Sequence, residues 1–334
     1  MNPTTQIDIK ILTFNRWLSL QRLLDSLEQQ NRVTEKGNLF QFNLEVIDNS
    51  PRHQLRPEQV ETLRGKYNAK YFYLGAGNIA AGRNAALERC GSPFLAFIDD
   101  DEVANKSWLP SLLSVMETYR ADVVFGPSLP LYLGNPNHWI ARSKILEPKD
   151  SHEGSDTGFV ESTANCLIRM APIRESRLRF NLAFGKCGGS DAEFFTVLRC
   201  LSLRFAFAPK AWVQEEFNNR RLKTWWLLKR ALRCGGCRGA VLSRLKREQY
   251  AQEVVGATLQ IRKALFSRND YFPERIWNLF HSLGLILFSV SGSVLSEYEA
   301  RPFHFTRFNH KRWSLTSILS ARFLSSETNV VHSR

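Results

Sequence analysis

The stretch Phe94-Leu-Ala-Phe-Ile-Asp-Asp-Asp-Glu102 decides the fold, because a wholly apolar run is followed at once by carboxylates. Such a run is typical of a strand that is buried on both faces of a parallel sheet. The three aspartates cannot continue into the core, since unpaired buried charges are costly. At the end of a strand, Asp99–Asp101 would form a hard-oxygen site suited to Mg²⁺ or Mn²⁺, with a substrate diphosphate supplying the remaining oxygens. A solvated acidic turn is the alternative interpretation.

On either side of this strand, the first 125 residues alternate between strand-like and helix-like patterns. We predict strands at 7–13, 42–47, 70–74, 94–98 and 122–125, and helices around Leu20–Leu27, at 79–90 and from Ser107. Alternation of this kind predicts an α/β fold, in which a mostly parallel sheet carries helices on both faces.

Polar residues follow several of these strands at the point where each one ends. Thr13–Arg16 follow the first strand and Asp48-Asn49 end the second, as Asp99–Asp101 end the fourth. Because ligands of open α/β sheets bind at the carboxyl ends of the strands, we expect these groups to line one cleft.

The stretch Gly75-Ala-Gly-Asn-Ile-Ala-Ala-Gly-Arg-Asn84 is similar to a phosphate-binding glycine loop, but it lacks the required spacing. The dinucleotide pattern needs a third glycine where Ala80 stands, and no Gly-Lys-Ser/Thr follows. We therefore interpret Arg83 and Asn84 as polar groups that point into the same cleft as the aspartates. A surface ion pair is the alternative for Arg83.

The stretch Phe184-Gly-Lys-Cys-Gly-Gly-Ser-Asp-Ala-Glu-Phe-Phe195 places a glycine turn before an acidic helix start. The helix macrodipole keeps a carboxylate at this position ionised, and an ionised Asp191 in a cleft is what a general base requires. Simple N-capping by Ser190 or Asp191 is the alternative.

The charge is distributed unevenly along the 334-residue chain, which has a formal net charge of +13. Residues 1–200 carry 23 basic and 23 acidic side chains, whereas residues 201–334 carry 22 and 9. A neutral body with a basic C-terminal third indicates a phosphate-bearing or membrane partner and argues against a uniformly basic nucleic-acid coat. With 43% hydrophobic residues, the composition excludes a disordered chain.

The cysteine content and the hydropathy indicate in which cellular compartment the protein works. Six cysteines spread through a long chain are too sparse for a disulfide scaffold and indicate a reducing compartment, while Cys234 and Cys237 provide only half of a zinc site. We expect no secretory signal at Met1–Lys10. The uncharged segment 276–295 is only weakly apolar, which favours a buried or interfacial helix over a membrane span.

Five motifs in this order resemble the family 2 glycosyltransferases, which are inverting enzymes with the GT-A fold. These motifs are Ile11-Leu-Thr-Phe-Asn-Arg16, Val46-Ile-Asp-Asn-Ser50, Gly77-Asn-Ile-Ala-Ala-Gly-Arg-Asn-Ala85, Phe97-Ile-Asp-Asp-Asp-Glu102 and Gly188-Gly-Ser-Asp-Ala-Glu-Phe-Phe195. Within the family, the chain is most similar to bacterial glucosyltransferases of succinoglycan-type exopolysaccharide assembly.

The resemblance implies a role for each matching residue. It implies donor binding by Thr13, Arg16, Asp48, Arg83, Asp99 and Asp100, metal binding by Asp101 and Asp99, catalysis by Asp191 as the base, and acceptor-side contacts by Glu193 and Gly189. It also implies a GT-A domain over 1–215, with a nucleotide-sugar half at 1–126 and an acceptor half at 127–215. A basic helical region at 216–334 would follow and associate with the membrane.

The implied reaction moves a sugar, with glucose as our choice, from a UDP-sugar to a lipid-linked or cell-surface glycan with Mg²⁺ or Mn²⁺. We expect a cytoplasmic enzyme peripheral to the inner membrane, bound to its anionic surface, with no nucleic-acid partner. Two residues depart from the family pattern: Ser190 replaces a glutamate beside the base, and Gln214 stands where many members have a histidine. The alternatives are a non-catalytic membrane or nucleic-acid binder on a degenerate transferase fold, and a sugar-phosphate nucleotidyltransferase.

Overall fold

The computed structural model describes residues 4–52, 55–136, 140, 145–148, 151–157, 161–266, 272–296 and 305–308. The contacts divide the chain into two compact units. The first unit comprises Met1–Leu131, Leu146–Glu175 and Leu198–Glu216, and the second comprises Tyr132–Ile145, Ser176–Val197 and Phe217–Arg334. The domain boundary at residue 215 stays a prediction, and residues 309–334 of the predicted basic region lie outside the described residues.

The first unit is built on a mixed, mostly parallel sheet. The strands are β1 (Thr5–Thr13), β2 (Phe40–Asp48), β3 (Ala69–Tyr73), β4 (Phe94–Asp99), β5 (Glu102–Ala104), β6 (Val123–Phe125), β7 (Ser128–Tyr132), β8 (Asn165–Arg169), β9 (Phe205–Phe207) and β10 (Val213–Phe217). Seven of them form one sheet in the order β3-β2-β1-β4-β8-β6-β9, in which β8 runs antiparallel to both of its neighbours. A second sheet has the order β5-β10-β7.

Helices cover both faces of the large sheet, as the alternating pattern predicts. They are α1 (Trp17–Glu28), α2 (Pro57–Gly65), α3 (Ile79–Glu88), α4 (Trp108–Thr118) and α5 (Met170–Ser176). On one face, alternate residues of β1 such as Ile9 join a buried apolar cluster with leucines of α1 and α4. On the other face Leu12 meets α3, where the missing side chain of Gly82 leaves the space that it occupies.

A buried charge network lies on this second face of the sheet. The ammonium group of Lys10 lies 2.6 Å from the carboxylate of Glu45 and 3.5 Å from that of Asp8, and all three residues are buried. The Arg89 guanidinium binds the same Glu45 carboxylate. Each buried carboxylate therefore has a cationic partner, which offsets the cost of desolvation.

The described part of the second unit contains three long helices. Residues 190–197 of α6 (Ser190–Cys200) belong to it, and α7 (Thr224–Leu245), α8 (Arg247–Phe266) and α9 (Phe272–Ser291) follow. The short strands β11 (Ser293–Leu295) and β12 (Phe305–Arg307) pair antiparallel. The segment 276–295 lies in α9 and β11. Among the described helices, none is long and apolar enough to cross a membrane.

Helices α7 and α9 pack with their backbones in close contact. A side chain on Gly235 would lie 1.8 Å from the carbonyl oxygen of His281, and one on Gly284 would lie 1.8 Å from that of Leu232. Two glycines on facing helices thus permit an approach that no larger residue allows.

Candidate active site

Asp100 is the most enclosed of the three aspartates that end β4. It is buried and accepts hydrogen bonds from the Thr13 hydroxyl at 2.7 Å and from the backbone N–H of Phe14 at 3.4 Å. These donors come from the end of β1, because β1 and β4 are parallel neighbours that end at the same edge of the sheet. The predicted gathering of polar groups at this edge is thus present for Thr13 and Asp100.

Arg16 joins two of the aspartates. Its Nη1 lies 3.0 Å from Asp100 Oδ1 and 2.9 Å from Asp101 Oδ2. One guanidinium thus offsets two neighbouring carboxylates, both of them buried. The Arg16 side chain is itself 40% exposed, so solvent reaches this side of the ion-pair cluster.

Burial and mutual repulsion shift the pKa values of this carboxylate group. Burial, reinforced by Asp101 and Asp100, raises the pKa of Asp99 to about 7, although the Arg83 guanidinium opposes the change. Burial also raises the pKa of Asp100 to about 6, against the opposing charge of Arg16. A cation bound at this edge would favour the ionised form of every carboxylate nearby.

Glu102 is a buried acid in the site that the sequence prediction missed. It is 1% exposed, its Oε1 accepts a 2.9 Å hydrogen bond from the Ser128 hydroxyl, and its Oε2 has no partner among the described residues. Burial, with added repulsion from Asp99 and Glu215, raises the pKa of Glu102 well above its ordinary value. Glu215 reaches this position because β10 pairs with β5 so that the two glutamates are opposite each other.

The donor set at this edge fits a divalent cation that also binds substrate phosphates. Mg²⁺ is commonly held by one or two carboxylates together with a nucleotide's phosphate oxygens. Asp99 and Asp101 supply such a pair, and the unpartnered Oε2 of Glu102 lies in the same acidic cluster. Across the described ranges there is no group of three or more His, Cys, Asp or Glu residues arranged to hold a metal by itself. A cation here would therefore depend on the diphosphate for further ligands.

Asp48 is held by the protein itself. It is fully buried, and its carboxylate accepts hydrogen bonds from the Ser50 backbone N–H and the Tyr71 hydroxyl, both at 3.0 Å. In the next two residues, Asn49 Oδ1 and Ser50 Oγ are buried and have no hydrogen-bond partner in the part of the chain that the structure describes. Asp48 thus shapes the loop after β2, and its contact with the donor stays a prediction.

Arg83 lies in α3, which begins after the turn at Gly75 and Gly77. Both glycines have positive φ, of 65° and 60°, and the Asn78 side chain caps the helix by accepting from the Ala81 backbone N–H. Arg83 is buried, and its charge favours the ionised form of Asp99. The structure thus brings Arg83 to the aspartates, as predicted.

In the second unit, a glycine turn leads into α6. Gly188 and Gly189 have φ values of 78° and 84°, which favour glycine strongly. Asp191 is half-buried in the first turn of the helix, and its Oδ1 accepts a 2.9 Å bond from the next backbone N–H. Glu193 is 1% exposed and accepts a 3.5 Å hydrogen bond from the Asn181 amide.

Helix α7 anchors this turn. The Cys237 thiol donates to the carbonyl of Gly188 at 3.2 Å, and the Arg233 guanidinium donates to that of Cys187 at 3.0 Å. A side chain on Gly189 would lie 2.9 Å from Cys237 Cβ, so turn and helix are in direct contact. All six cysteines are free, and Cys237 acts as a hydrogen-bond donor to this turn.

Comparison with known proteins identifies the family. The profile of Glycosyl transferase family 2 matches residues 8–177. The succinoglycan biosynthesis protein ExoM of Rhizobium meliloti (strain 1021) is 34% identical over 246 residues, which is 72% of this chain and 77% of ExoM. The chain belongs to glycosyl transferase family 2. The resemblance stated from the five motifs is thereby confirmed, and with it the class of enzyme.

Solved structures confirm the fold expected for this family 2 chain. The first 349 residues of S. aureus TarS, in complex with UDP-GlcNAc, align over 91% of the chain and 99% of the TarS fragment, with a TM-score of 0.52 and 15% identity. The chain spans 60% of the longer TarS chain. GalNAc-T7 with UDP, GalNAc and Mn²⁺ aligns over 87% of this chain and 58% of its own, with a TM-score of 0.52 and 13% identity. The predicted GT-A class is confirmed.

The family 2 motifs are thus distributed over two units. The first unit contains the donor-side and metal-side candidates Thr13, Arg16, Asp48, Arg83 and Asp99–Asp101. The second unit contains Gly189, Asp191 and Glu193, the candidates for the base and the acceptor side. The individual roles of these residues stay predictions.

Proposed function

We propose that this enzyme transfers a hexose, with glucose as our choice, from a UDP-sugar to a lipid-linked or cell-surface glycan, and inverts the anomeric centre. The main support is that Thr13 and Arg16 bind the aspartates at the end of β4. The complexes of TarS with UDP-GlcNAc and of GalNAc-T7 with UDP and Mn²⁺ support the nucleotide donor and the metal. The similarity to the succinoglycan biosynthesis protein ExoM supports a role in polysaccharide assembly.

On the donor side, each residue has a distinct task. Asp99 and Asp101 would hold Mg²⁺ or Mn²⁺, which when bound neutralises the charge that develops on the leaving diphosphate. Arg83 adds positive charge beside Asp99. Thr13 and Arg16 keep Asp100 in place, which orients the acidic stretch toward the nucleotide.

On the acceptor side, Asp191 accepts the proton of the attacking hydroxyl. Its carboxylate lies in the first turn of α6 and is only half-buried, so it remains accessible to an acceptor hydroxyl. A single displacement assisted by one base inverts the anomeric centre, on the same geometric logic as in inverting glycosidases. Ser190 is fully buried beside it and supplies no second carboxylate.

The test is a comparison of Asp191→Asn with the wild type, using UDP-sugars, Mn²⁺ and a glycan acceptor. We expect transfer to fall by at least about a hundredfold, as is typical for loss of a general base, while UDP binding stays unchanged. Asp156→Asn, at an exposed position, is the matched control. Full transfer by Asp191→Asn would contradict the assignment of the base.

The second unit also supports the proposed contact with an anionic membrane on the cytoplasmic face. Trp225, Val255 and Leu259 are exposed at 58%, 62% and 61%, and the same unit contains most of the excess basic residues. We expect co-sedimentation with phosphatidylglycerol vesicles to fall with salt and to be absent for phosphatidylcholine alone. Steeply salt-sensitive RNA binding without glycosyl transfer would instead favour the binder on a degenerate fold.

A further inference from the structure

A polar cleft opens among the three long helices of the second unit. Its volume is about 530 Å³, within the roughly 300–1,000 Å³ range of small-molecule sites. Its walls come from all three helices: Arg238 from α7, Gln252–Gln260 from α8 and Trp277–Leu285 from α9. The cleft belongs to this unit alone and shares no residue with the donor-side or base candidates.

Open space remains beside α8, whereas α7 and α9 are in close contact. Gly256 of α8 faces open space, since an added side chain would meet no atom within 4 Å. Gly235 and Gly284, on the other two helices, would each place a side chain 1.8 Å from a backbone oxygen. The small residues Gly256 and Ala257 therefore form one wall of a space that larger side chains would fill.

Several hydrogen-bonding side chains in the walls are available to a ligand. The side chains of Gln252, Trp277, Asn278 and His281 form no hydrogen bond with the described residues, and those of Gln252 and Asn278 are exposed. Amide, indole and imidazole groups together provide both donors and acceptors. Ser282 is 1% exposed and donates a 3.1 Å bond to Gln260, which ties α9 to α8 at the base of the cleft.

The charge in the cleft is balanced. Arg238 and Glu253 form a two-pronged ion pair, in which Arg238 Nε lies 2.5 Å from Glu253 Oε2 and Nη2 binds the other oxygen. Burial, reinforced by the Arg238 charge, lowers the pKa of His281, so this ring is neutral at neutral pH. The described residues that line the cleft therefore present no unpaired charge to an anionic or cationic ligand.

We propose that this cleft is a binding site for a short, uncharged oligosaccharide. Sugar hydroxyl groups both donate and accept hydrogen bonds, which matches the amide and imidazole groups of Gln252, Asn278 and His281. The half-buried indole of Trp277 offers an apolar face on which a pyranose ring can pack. That this sugar forms part of the glycan acceptor rests on the proposed function, whereas the site itself stands on the cleft.

The test measures direct binding of cellobiose, laminaribiose and chitobiose to the full chain by saturation-transfer NMR, without UDP-sugar. We expect at least one of them to bind with a Kd of about 1 mM, and glucose 1-phosphate to bind at least about tenfold more weakly. Gly256→Leu places a large side chain at a wall of the cleft, where an added Cβ meets no atom within 4 Å, and it should abolish binding, whereas Gly256→Ala should retain it. Thermal stabilisation by UDP and Mn²⁺ should be the same in both variants, which shows that the first unit is intact.

Three results would overturn the proposal: no binding of any disaccharide, equal binding by Gly256→Leu and Gly256→Ala, or tighter binding of glucose 1-phosphate than of all three. None of these results bears on Asp191, because the assay contains neither donor nor transfer. Conversely, loss of transfer without loss of disaccharide binding would leave the cleft proposal intact.

Discussion

Substitution of Gly284 by alanine should destabilise the second unit, although alanine is the better helix former. The added Cβ would lie 1.8 Å from Leu232 O, 2.8 Å from Leu232 C and 3.1 Å from Gly236 N. All three atoms are backbone, so no side chain can rotate away. Carbon and oxygen atoms in contact need about 3.3 Å, so α7 and α9 would have to separate by roughly 1.5 Å.

The energy follows from two opposing effects. Overpacking of a tight interface costs about 1–3 kcal/mol, and the rigid backbone places this site at the upper end. The gain in helix propensity from glycine to alanine is about 1 kcal/mol. The net loss for Gly284→Ala is therefore about 2 kcal/mol. Gly256→Ala is the same chemical change without a clash, and it should stabilise the protein by about 0.5–1 kcal/mol.

Urea unfolding followed by far-UV circular dichroism, with hydrogen exchange of the α7 and α9 amides, measures both effects. We expect the midpoints to shift in opposite directions and the faster exchange of Gly284→Ala to be confined to the second unit. Equal shifts, or stabilisation by both substitutions, would refute the close packing on which this reasoning depends.

Other predictions concern the first unit. Lys10→Met should cost about 3–5 kcal/mol in urea unfolding, because the buried carboxylates of Asp8 and Glu45 lose a shared partner. Although burial acts against it, hydrogen bonds from neighbouring groups and the Lys10 charge hold the pKa of Asp8 at about 2. Because this pKa is depressed, the ionised Asp8 carboxylate stabilises the fold at pH values above 3.8, and this stabilisation is lost as the pH falls through 2. Asp8→Asn should therefore flatten the dependence of stability on pH between 3.8 and 2. Arg16→Ala removes the charge that opposes protonation of Asp100, so the acidic limb of the activity profile should move to higher pH, and Arg16→Lys should move it less. An unchanged acidic limb in Arg16→Ala would argue against this coupling.

The elements that the sequence predicted best are those with strong local patterns. The apolar run of β4 and the leucine stripe of α1 each determine their own conformation, and both occur where expected. The three-residue strands β5, β6 and β9 are too short for a strong pattern, and of these only β6 was anticipated. The antiparallel direction of β8 depends on its two neighbours and has no signature in the residues from 165 to 169.

In the site, too, the contacts that follow from local sequence patterns were predicted, and one that depends on distant strand pairing was not. Thr13, Arg16 and Asp100 were expected to meet because parallel strands end at one edge. The approach of Glu215 to Glu102 was missed, since it depends on the register between β10 and β5, more than a hundred residues apart in the chain. The one available signal was Glu102 as the fourth acid of the run that begins at Asp99, which the triple aspartate obscured.

The zinc-like spacing of Cys234 and Cys237 illustrates how spacing can mislead. On a helix, positions three apart lie on nearly the same face, a geometry that serves metal binding and helix packing alike. Here Cys237 donates to the turn before α6, while the intervening Gly235 permits the close approach of α9. Tertiary contacts, which the sequence does not display, decide between the two uses.

The hydrogen bonds from α7 to the glycine turn have a consequence for the exchange of parts between related enzymes. A chimera joined at residue 216 would combine the turn of one protein with the supporting helix of another, and would keep these contacts only where the second helix also has Arg233 and Cys237. Acceptor preference should be transplantable only when residues 176–197 travel together with the C-terminal helices. The basic C-terminal third and the turn that leads to Asp191, the residue proposed as the base, should therefore be exchanged as one piece.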